Sequence, residues 1–289
     1  MARHPFGGPW TQLKLSILRD YLNFFTKALK GKGFTLHYAD AFAGTGHQSL
    51  KATKGQDPMF PIEDLDGSAQ IALNIEPPFH KYHLNDLSNE HYNALNELVS
   101  KYPTRDCRVT RLDGNEFVKQ FCQSLSSNDR AIVFIDPYST ELHWDTLKHV
   151  ANSQRIDLWL LFPISALLRM TPNDPDRLDE SWVRKIDLLL GTSEWKEALY
   201  KPKPTPIISD MFGEIEAPGM ERLNVEEVAQ FVRSRLGEEF AYVAKPATLY
   251  AKGTPLFLFM FAVSNRVRVA QALAERVSTH ILRKYQRRR

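Results

Sequence analysis

The sequence predicts an α/β protein with a seven-stranded, mainly parallel sheet that is closed by an antiparallel hairpin. Two observations predict this class. Short β-rich segments alternate with helical segments over residues 10–162, as in sheets whose parallel strands are joined by crossover helices. The last two predicted strands are joined only by the turn at 252–254, so they must be antiparallel. With 289 residues, 43% of them hydrophobic, we expect a single domain over 1–289.

The elements follow from local periodicity. Runs rich in β-branched and aromatic residues, bounded by Gly, Pro, Asn or Asp, predict strands, and apolar residues three and four apart predict helices. The strands are predicted at 35–41, 79–85, 107–112, 131–136, 156–162, 240–250 and 256–263. The helices are predicted at 10–30, 68–75, 88–100, 115–125, 144–152, 224–237 and over the basic C-terminal segment.

Two segments interrupt the alternation. Residues 47–67 form a loop inserted before the helix at Ser68, at the edge of the sheet where substrate loops belong. A substrate-covering loop and a plain surface insertion both remain open for this segment. Residues 163–222 are rich in proline and contain two helical pieces, at 182–190 and 193–200, which predicts an inserted helical and loop lid.

The first predicted strand runs into a glycine turn, Tyr38-Ala-Asp-Ala-Phe-Ala-Gly-Thr-Gly46. Glycines let backbone N–H groups approach a bound molecule closely, but neither a triphosphate-binding loop nor a dinucleotide fingerprint is present. The D-x-F-x-G-x-G pattern resembles the first motif of the class I S-adenosylmethionine (SAM) methyltransferases. The resemblance implies their Rossmann-like fold and a SAM cofactor; a tight turn in another α/β fold is the alternative. The implied cofactor-binding residues are Asp40, Phe42, Ala43, Gly44, Thr45 and Gly46.

Acidic residues also follow the second and third predicted strands. In this fold, Asp86 is placed to accept hydrogen bonds from ribose hydroxyls, with Leu87 beside it. Asp113 could accept from the adenine amino group, Gly114 would allow close approach, and Asn115 adds a polar group there. Asp and Asn after a strand are also ordinary turn and helix-capping residues, so each position alone is open to that interpretation.

The fourth predicted strand ends in Asp136-Pro137-Tyr138. This triplet resembles the D/N/S-P-P-Y/F/W motif of enzymes that methylate exocyclic amino groups of nucleic-acid bases. A carboxylate and a carbonyl that accept the amine N–H bonds favour the tetrahedral nitrogen, while the aromatic ring stacks on the base. The second proline of the motif is missing here, which displaces the tyrosine by one residue. An ordinary Asp-Pro turn at a strand end is the alternative.

Other chemistries fit the sequence less well. Cys107 and Cys122 are not placed for the nucleophile of cytosine C5 methylation, and they form no disulfide framework or metal knuckle. His80 and His83 are predicted on opposite faces of a strand, so no metal site is expected. With no apolar run of about 18 residues and no secretory signal, we expect a cytoplasmic protein without a membrane partner.

The C-terminal segment is strongly basic. From Arg266 onward there are eight Lys and Arg residues against Glu275 alone, and 283–289 is a basic tail. Arg287, Arg288 and Arg289 could contact phosphates of DNA or RNA. A solvated helix end whose cations complement the helix dipole is an equal alternative.

Several motifs together resemble the three-Cys-motif partner proteins. They are the Trp10-to-Lys14 helix start, Asp40-Ala-Phe-Ala-Gly44, Gly67-Ser68, Phe134-Ile-Asp-Pro-Tyr138 and Asp157-Leu-Trp-Leu-Leu-Phe-Pro163. The resemblance covers residues 5–265 and implies that Trp10 and Lys14 reach the cofactor or substrate. It also implies a partner with a cysteine motif, similar to radical-SAM enzymes.

The sequence thus predicts a SAM-dependent methyltransferase acting on a nucleic-acid base. Two other hypotheses remain open: a methyltransferase-fold scaffold that binds SAM, nucleic acid or a partner without turnover, and a nucleic-acid-binding module that depends on the basic tail.

Overall fold

The computed structural model describes residues 9–48, 65–203 and 219–286. The strands are β1 (Thr35–Asp40), β2 (His47–Gln48), β3 (Leu65–Asp66), β4 (Lys81–Asn85), β5 (Cys107–Thr110), β6 (Asp129–Ile135), β7 (Ile156–Phe162), β8 (Tyr200–Pro202), β9 (Met220–Arg222), β10 (Tyr242–Val243), β11 (Ala247–Ala251) and β12 (Thr254–Val263). The helices are α1 (Pro9–Leu29), α2 (Ser68–Leu73), α3 (Asn89–Ser100), α4 (Gly114–Ser124), α5 (Trp144–Ser153), α6 (Ile164–Met170), α7 (Glu180–Leu190), α8 (Trp195–Ala198), α9 (Val225–Glu239) and α10 (Arg268–Gln286).

The central sheet has the strand order β5-β4-β1-β6-β7-β12, with β10 and β11 on the outer edge of β12. The strands from β5 to β7 are parallel, and β12 is antiparallel to β7. From β1 the chain adds β4 and then β5 on one side of β1. It then crosses to the other side of β1 and adds β6, β7 and β12. Ligands of such sheets bind beyond the carboxyl ends of the strands at this change of direction, which lies beside β1.

The predicted Rossmann-like α/β fold, a mainly parallel sheet closed by an antiparallel hairpin, is confirmed, but one strand boundary in the prediction is wrong. The segment predicted as one strand, 240–250, forms β10 and β11, so eight strands rather than seven make up the sheet within the described residues. From Val243↔Ala262 to Ala247↔Phe259, the pairing advances four residues on one strand and three on the other. This extra residue and Pro246, which has no N–H to donate, interrupt the ladder.

Both faces of the sheet are buried. In β7, Leu158, Leu160 and Phe162 face the core under α4, α5, α6, α7 and α9, whereas Trp159 and Leu161 face the core under α1, α2, α3 and α10. A strand covered on both sides is apolar at successive positions, which explains the continuous apolar run of β7. This packing fixes the sheet as a rigid base for its carboxyl edge.

The segment 163–222 contains α6, α7, α8 and the two-stranded β8–β9 pair, and its residues 204–218 lie outside the described residues. The predicted helical pieces at 182–190 and 193–200 correspond to α7 and α8. Leu167, Ile186 and Trp195 are buried in the core that includes α5 and α9. The described helices of this segment therefore pack as part of the domain; a lid function for 163–222 stays a prediction.

The other predicted insertion, 47–67, is described only at its two ends. His47 pairs with Asp66 and Gln48 with Leu65 in the short β2–β3 ladder, which brings the ends of the insertion together. Residues 49–64, on which the predicted substrate-covering loop falls, lie outside the described residues. Among the helices that the structure describes, none combines the length and apolar character needed to cross a membrane.

Candidate active site

Four aspartates lie at the carboxyl ends of four adjacent parallel strands. Asp40 is the last residue of β1, and Asp86, Asp113 and Asp136 follow β4, β5 and β6. Since parallel strands end at one edge of the sheet, the topology brings these side chains to one cleft.

Asp40 is fully buried beneath this cleft. Its carboxylate accepts hydrogen bonds from the Tyr38 hydroxyl at 3.0 Å, the Ser68 hydroxyl at 2.6 Å and the Phe42 backbone N–H at 3.4 Å. Burial raises its pKa to about 7, even though the hydroxyl donors favour the charged form. A positively charged ligand next to Asp40 would therefore shift the group towards its carboxylate form.

Asp86 joins the glycine turn to the end of β4. It accepts from the N–H of Gly44 at 3.0 Å and from the N–H of Ser88 at 2.9 Å, and His91 Nδ1 lies 3.1 Å from its Oδ1. The neighbouring Leu87 is 65% exposed, so it offers an apolar surface at the cleft. Asp86, the carboxylate predicted to bind the ribose of SAM, is thus held in place by the glycine turn, which is predicted to bind the same cofactor.

The turn itself requires glycine for two reasons. Gly44 and Gly46 have φ of 61° and 72°, in the left-handed region that side chains rarely adopt. In addition, a Cβ on Gly46 would lie 2.5 Å from Leu98 Cδ2 of α3. Gly46 therefore serves helix packing, while Gly44 exposes backbone at the cleft.

The predicted adenine-side residues Asp113, Gly114 and Asn115 have structural roles of their own. Asp113 caps α4 by accepting from the N–H groups of Asn115 at 2.9 Å and Glu116 at 3.2 Å. A Cβ on Gly114 would lie 2.3 Å from the Phe42 ring, so packing of Phe42 requires this glycine whether or not a cofactor approaches. The capping alternative is observed for Asp113, and its contact with adenine stays a prediction.

Asn115 differs from the expectation because its side chain is engaged by the protein. Its amide donates to the Glu141 carbonyl at 2.8 Å, and its oxygen accepts from the His143 N–H at 2.9 Å and the Thr146 hydroxyl at 2.7 Å. These bonds connect the start of α4 to the loop that follows Tyr138. Asn115 thus supports the loop after the predicted catalytic turn, and its contact with a cofactor stays a prediction.

Lys14 of α1 forms an ion pair with Oδ2 of Asp136. The lysine side chain is 5% exposed and that of Asp136 is 24% exposed. The ammonium also lies 5.3 Å from the centroid of the Trp10 ring, which packs 5.4 Å from Phe257. Of the two α1 residues that the family resemblance singled out, Lys14 therefore contacts the predicted catalytic carboxylate, and Trp10 lies next to Lys14.

Tyr138 extends from the same turn towards the glycine loop. Its side chain is 46% exposed, and its hydroxyl lies 4.0 Å from the position that a Cβ on Gly44 would take. Partial burial, followed by the charges of Asp86, Asp136, Glu141 and Asp40, raises its pKa to about 12. Ser139, the next residue, has a φ of 60°, an uncommon conformation for a residue other than glycine. The turn thus directs the Tyr138 hydroxyl towards the glycine loop.

Some residues of the site were not predicted from the sequence. Partial burial, followed by the charges of Asp113 and Asp86, raises the pKa of Glu141. No sequence pattern indicated Glu141. Tyr38 could have been found, since it shares a strand face with Asp40 two residues later. The cleft thus carries carboxylates at the ends of four adjacent strands, Asp40, Asp86, Asp113 and Asp136.

The basic tail is only partly described. Arg287, Arg288 and Arg289 lie outside the described residues. Upstream of them, Lys284 Nζ and the Tyr285 hydroxyl lie 2.6 Å and 3.1 Å from Asp20 Oδ2, so these groups attach the end of α10 to α1. Arg276 and Arg283 are exposed on α10. Among the described side chains, no group of three or more His, Cys, Asp or Glu residues could hold a metal ion.

No protein-family model and no curated protein matches the chain. Solved structures with some similarity include protein LPL1258 from Legionella pneumophila, at 15% identity over 67% of this chain and 77% of that chain, with a TM-score of 0.45. The bifunctional kinase-methyltransferase WbdD matches at 11% identity over 91% of this chain, with a TM-score of 0.43, and this chain spans 43% of its length. Magnesium protoporphyrin IX methyltransferase (ChlM) from Synechocystis PCC 6803, solved with bound S-adenosylhomocysteine (SAH), matches at 12% identity over 91% and 90% of the two chains, with a TM-score of 0.37.

Proposed function

We propose that the protein is a SAM-dependent methyltransferase that acts on an amino group of a nucleic-acid base. The observation that carries this proposal is the convergence of Asp40, Asp86 and Asp136 on the open glycine turn at the carboxyl edge of the sheet. SAM carries a sulfonium and an ammonium group, so carboxylates complement its charge, whereas a polyphosphate ligand would be repelled. Gly44 leaves the turn without a side chain at the cleft, as close approach of a cofactor requires.

The residues that would hold SAM divide along the edge of the sheet. The turn at Gly44 and the buried Asp40 would surround its methionine part, Asp86 would accept from the ribose hydroxyls, and the exposed Leu87 would pack on the adenine ring. When bound, SAM supplies a methyl group that is activated by the sulfonium.

The acceptor side would be formed by Asp136, Pro137 and Tyr138. An exocyclic amine is a weak nucleophile because its lone pair is delocalised into the ring. Hydrogen bonds from the amine to the Asp136 carboxylate and the Pro137 carbonyl favour the tetrahedral nitrogen and stabilise the positive charge that develops on it. The half-exposed Tyr138 ring is available to stack on the base, which contributes about 1–3 kcal/mol of binding.

The basic helix supports a nucleic-acid acceptor. Tyr285 and Leu282 near the end of α10 line the same small cavity as Leu13 and Ile17 of α1. Lys14, which contacts Asp136, lies between Leu13 and Ile17 in the sequence of α1. The basic end of α10 therefore packs against the same part of α1 that contacts the acceptor side. Arg283 and the arginines after α10 would supply phosphate contacts that do not depend on base sequence.

The decisive experiment is transfer of labelled methyl from SAM to total RNA and to total DNA, followed by nucleoside analysis. We expect label in a base-methylated nucleoside, and a loss of about 10²–10³ in rate for Asp136→Asn with SAM affinity retained. Asp145→Asn, an exposed carboxylate on α5, is the matched control and should retain full activity. Label in protein or small molecules would remove the nucleic-acid acceptor.

One observation favours a second candidate, a scaffold that binds SAM or a partner, such as a cysteine-motif protein, without turnover. The Asp136 carboxylate already forms an ion pair with Lys14 through Oδ2, so only part of its hydrogen-bonding capacity is available to an acceptor. This candidate requires SAM binding by calorimetry together with no methyl transfer to any acceptor by wild type and Asp136→Asn alike.

A further inference from the structure

We propose that Lys14 is a positioning residue of the acceptor site, which holds Asp136 through one carboxylate oxygen and leaves the other oxygen to the acceptor. This inference rests on the proposed function and assigns to α1 a part in it. The contact is made to Oδ2 of Asp136, and the two residues are 122 positions apart in the chain.

The burial of the pair distinguishes it from an ordinary surface ion pair. The Lys14 side chain is 5% exposed and lies against the Trp10 ring. An ammonium withdrawn from water loses hydration, and its attraction to a carboxylate often does no more than offset that loss. A methionine of similar length would serve packing equally well. The cation at this position therefore points to a role in orienting Asp136.

Lys14 lies on a rigid support, whereas Asp136 lies on a turn. Helix α1 is anchored by Trp10 on Phe257 and by the Tyr21 hydroxyl, which donates to Asp157 at 2.7 Å. Asp136 begins the short turn that contains Tyr138 and the left-handed Ser139. Because one end of the ion pair is fixed and the other belongs to a turn, the lysine determines where the carboxylate points.

The role makes a kinetic prediction that a purely structural contact does not. Lys14→Met should lower kcat by about 10- to 100-fold, the size of coupling between contacting residues, with KM for the nucleic acid and SAM affinity near wild type. Lys14→Arg keeps the cation and should recover part of the loss. Lys14→Gln serves as a second neutral variant if Lys14→Met does not fold. Lys27→Met, on an exposed position of the same helix, is the matched control.

A double-mutant cycle tests whether Lys14 acts through Asp136. If it does, adding Lys14→Met to Asp136→Asn should lower kcat no further than about twofold, because the partner that Lys14 positions has already been altered. A much larger additional loss would mean that Lys14 touches the substrate itself, and wild-type kcat in both neutral variants would mean that it has no role; either result overturns the inference while the proposed function stands. If wild type transfers no methyl group to nucleic acid, the proposed function fails, and this inference fails with it.

Discussion

The backbone N–H of Gly44 donates to the carboxylate of Asp86 at 3.0 Å, so the glycine turn after β1 and the end of β4 form one hydrogen-bonded unit. Asp86 also accepts from Ser88 and contacts His91, which leaves its side chain 5% exposed and in a fixed orientation. A ligand that crosses the carboxyl edge would therefore meet a turn and a carboxylate whose relative positions are already set. Such preorganisation lowers the ordering cost of binding.

Replacing this carboxylate should weaken cofactor binding. We expect Asp86→Ala to reduce SAM affinity by about 1–3 kcal/mol, because charge-assisted hydrogen bonds to the ribose and the support of Gly44 are both lost. Isothermal titration calorimetry measures the change. Asp106→Ala, an exposed residue before β5, is the control and should bind as wild type. Unchanged affinity in Asp86→Ala would reassign the ribose contact to another residue.

Asp40 should make cofactor binding and stability depend on pH in opposite ways. Its folded-state pKa is raised to about 7 from 3.8, so the folded protein binds a proton more readily than the unfolded chain, and this group lowers stability as pH rises from about 4 to 7. We expect Asp40→Asn to stabilise the ligand-free protein at pH 8 by up to about 4 kcal/mol, with the gain absent near pH 4.

The same change should weaken SAM binding at pH 8, because the carboxylate that complements the cation is removed. Wild-type affinity should fall between pH 8 and pH 6, whereas that of Asp40→Asn should stay level. Chemical denaturation and calorimetry at the two pH values measure both effects. A SAM affinity in wild type that does not change with pH would show that Asp40 does not titrate with binding.

His83 should contribute stability that disappears in acid. Its Nε2 lies 3.2 Å from His37 Nδ1, and burial, followed by the charge of His37, lowers its pKa to about 4 from 6.5. The unfolded chain therefore binds the proton more readily, so stability is present above about pH 6.5 and is lost as pH falls towards 4. This dependence opposes that of Asp40 over nearly the same range, so only comparison of variants separates them.

We expect His83→Gln to make the change in unfolding free energy from pH 4 to pH 7 more negative than in wild type by up to about 3 kcal/mol, because the opposing Asp40 contribution remains. His280→Gln, an exposed histidine on α10, is the control and should leave the profile unchanged. Urea unfolding at several pH values gives the comparison. A His83→Gln profile parallel to that of wild type would contradict burial of the neutral imidazole.

The C-terminal arginines should determine the salt dependence of nucleic-acid binding. Deleting 287–289 removes three cations, so the slope of log K against log salt for single strands should fall by about two, at any base sequence. The control is a variant in which Lys27, Lys30 and Lys32 are changed to Gln. It removes the same number of charges from the C-terminal end of α1 and the residues just after it. Fluorescence anisotropy with labelled oligonucleotides measures the slopes. Equal slopes for wild type and the deletion would leave the tail as a solvated helix end.

The sequence by itself determined the order and type of the main elements, because these depend on local periodicity and turn chemistry. The continuous apolar run at 156–162 is typical of a parallel strand that is buried on both faces, and β7 is such a strand. The D-x-F-x-G-x-G pattern predicted a glycine turn after the first strand, and Gly44 and Gly46 adopt the positive φ values that glycine accepts without strain. Because parallel strands share one carboxyl edge, the sequence also indicated where the aspartates would converge.

Only the tertiary structure decided which partners these side chains take. The pairing of Lys14 with Asp136 depends on how α1 crosses the sheet edge, and no local pattern specifies that crossing. Asn115 holds the loop after Tyr138, and Gly114 makes room for Phe42, because packing between separate elements brings those groups together. Local sequence determines backbone conformation, but side-chain contacts between residues far apart in the chain depend on the summed packing of whole helices and strands.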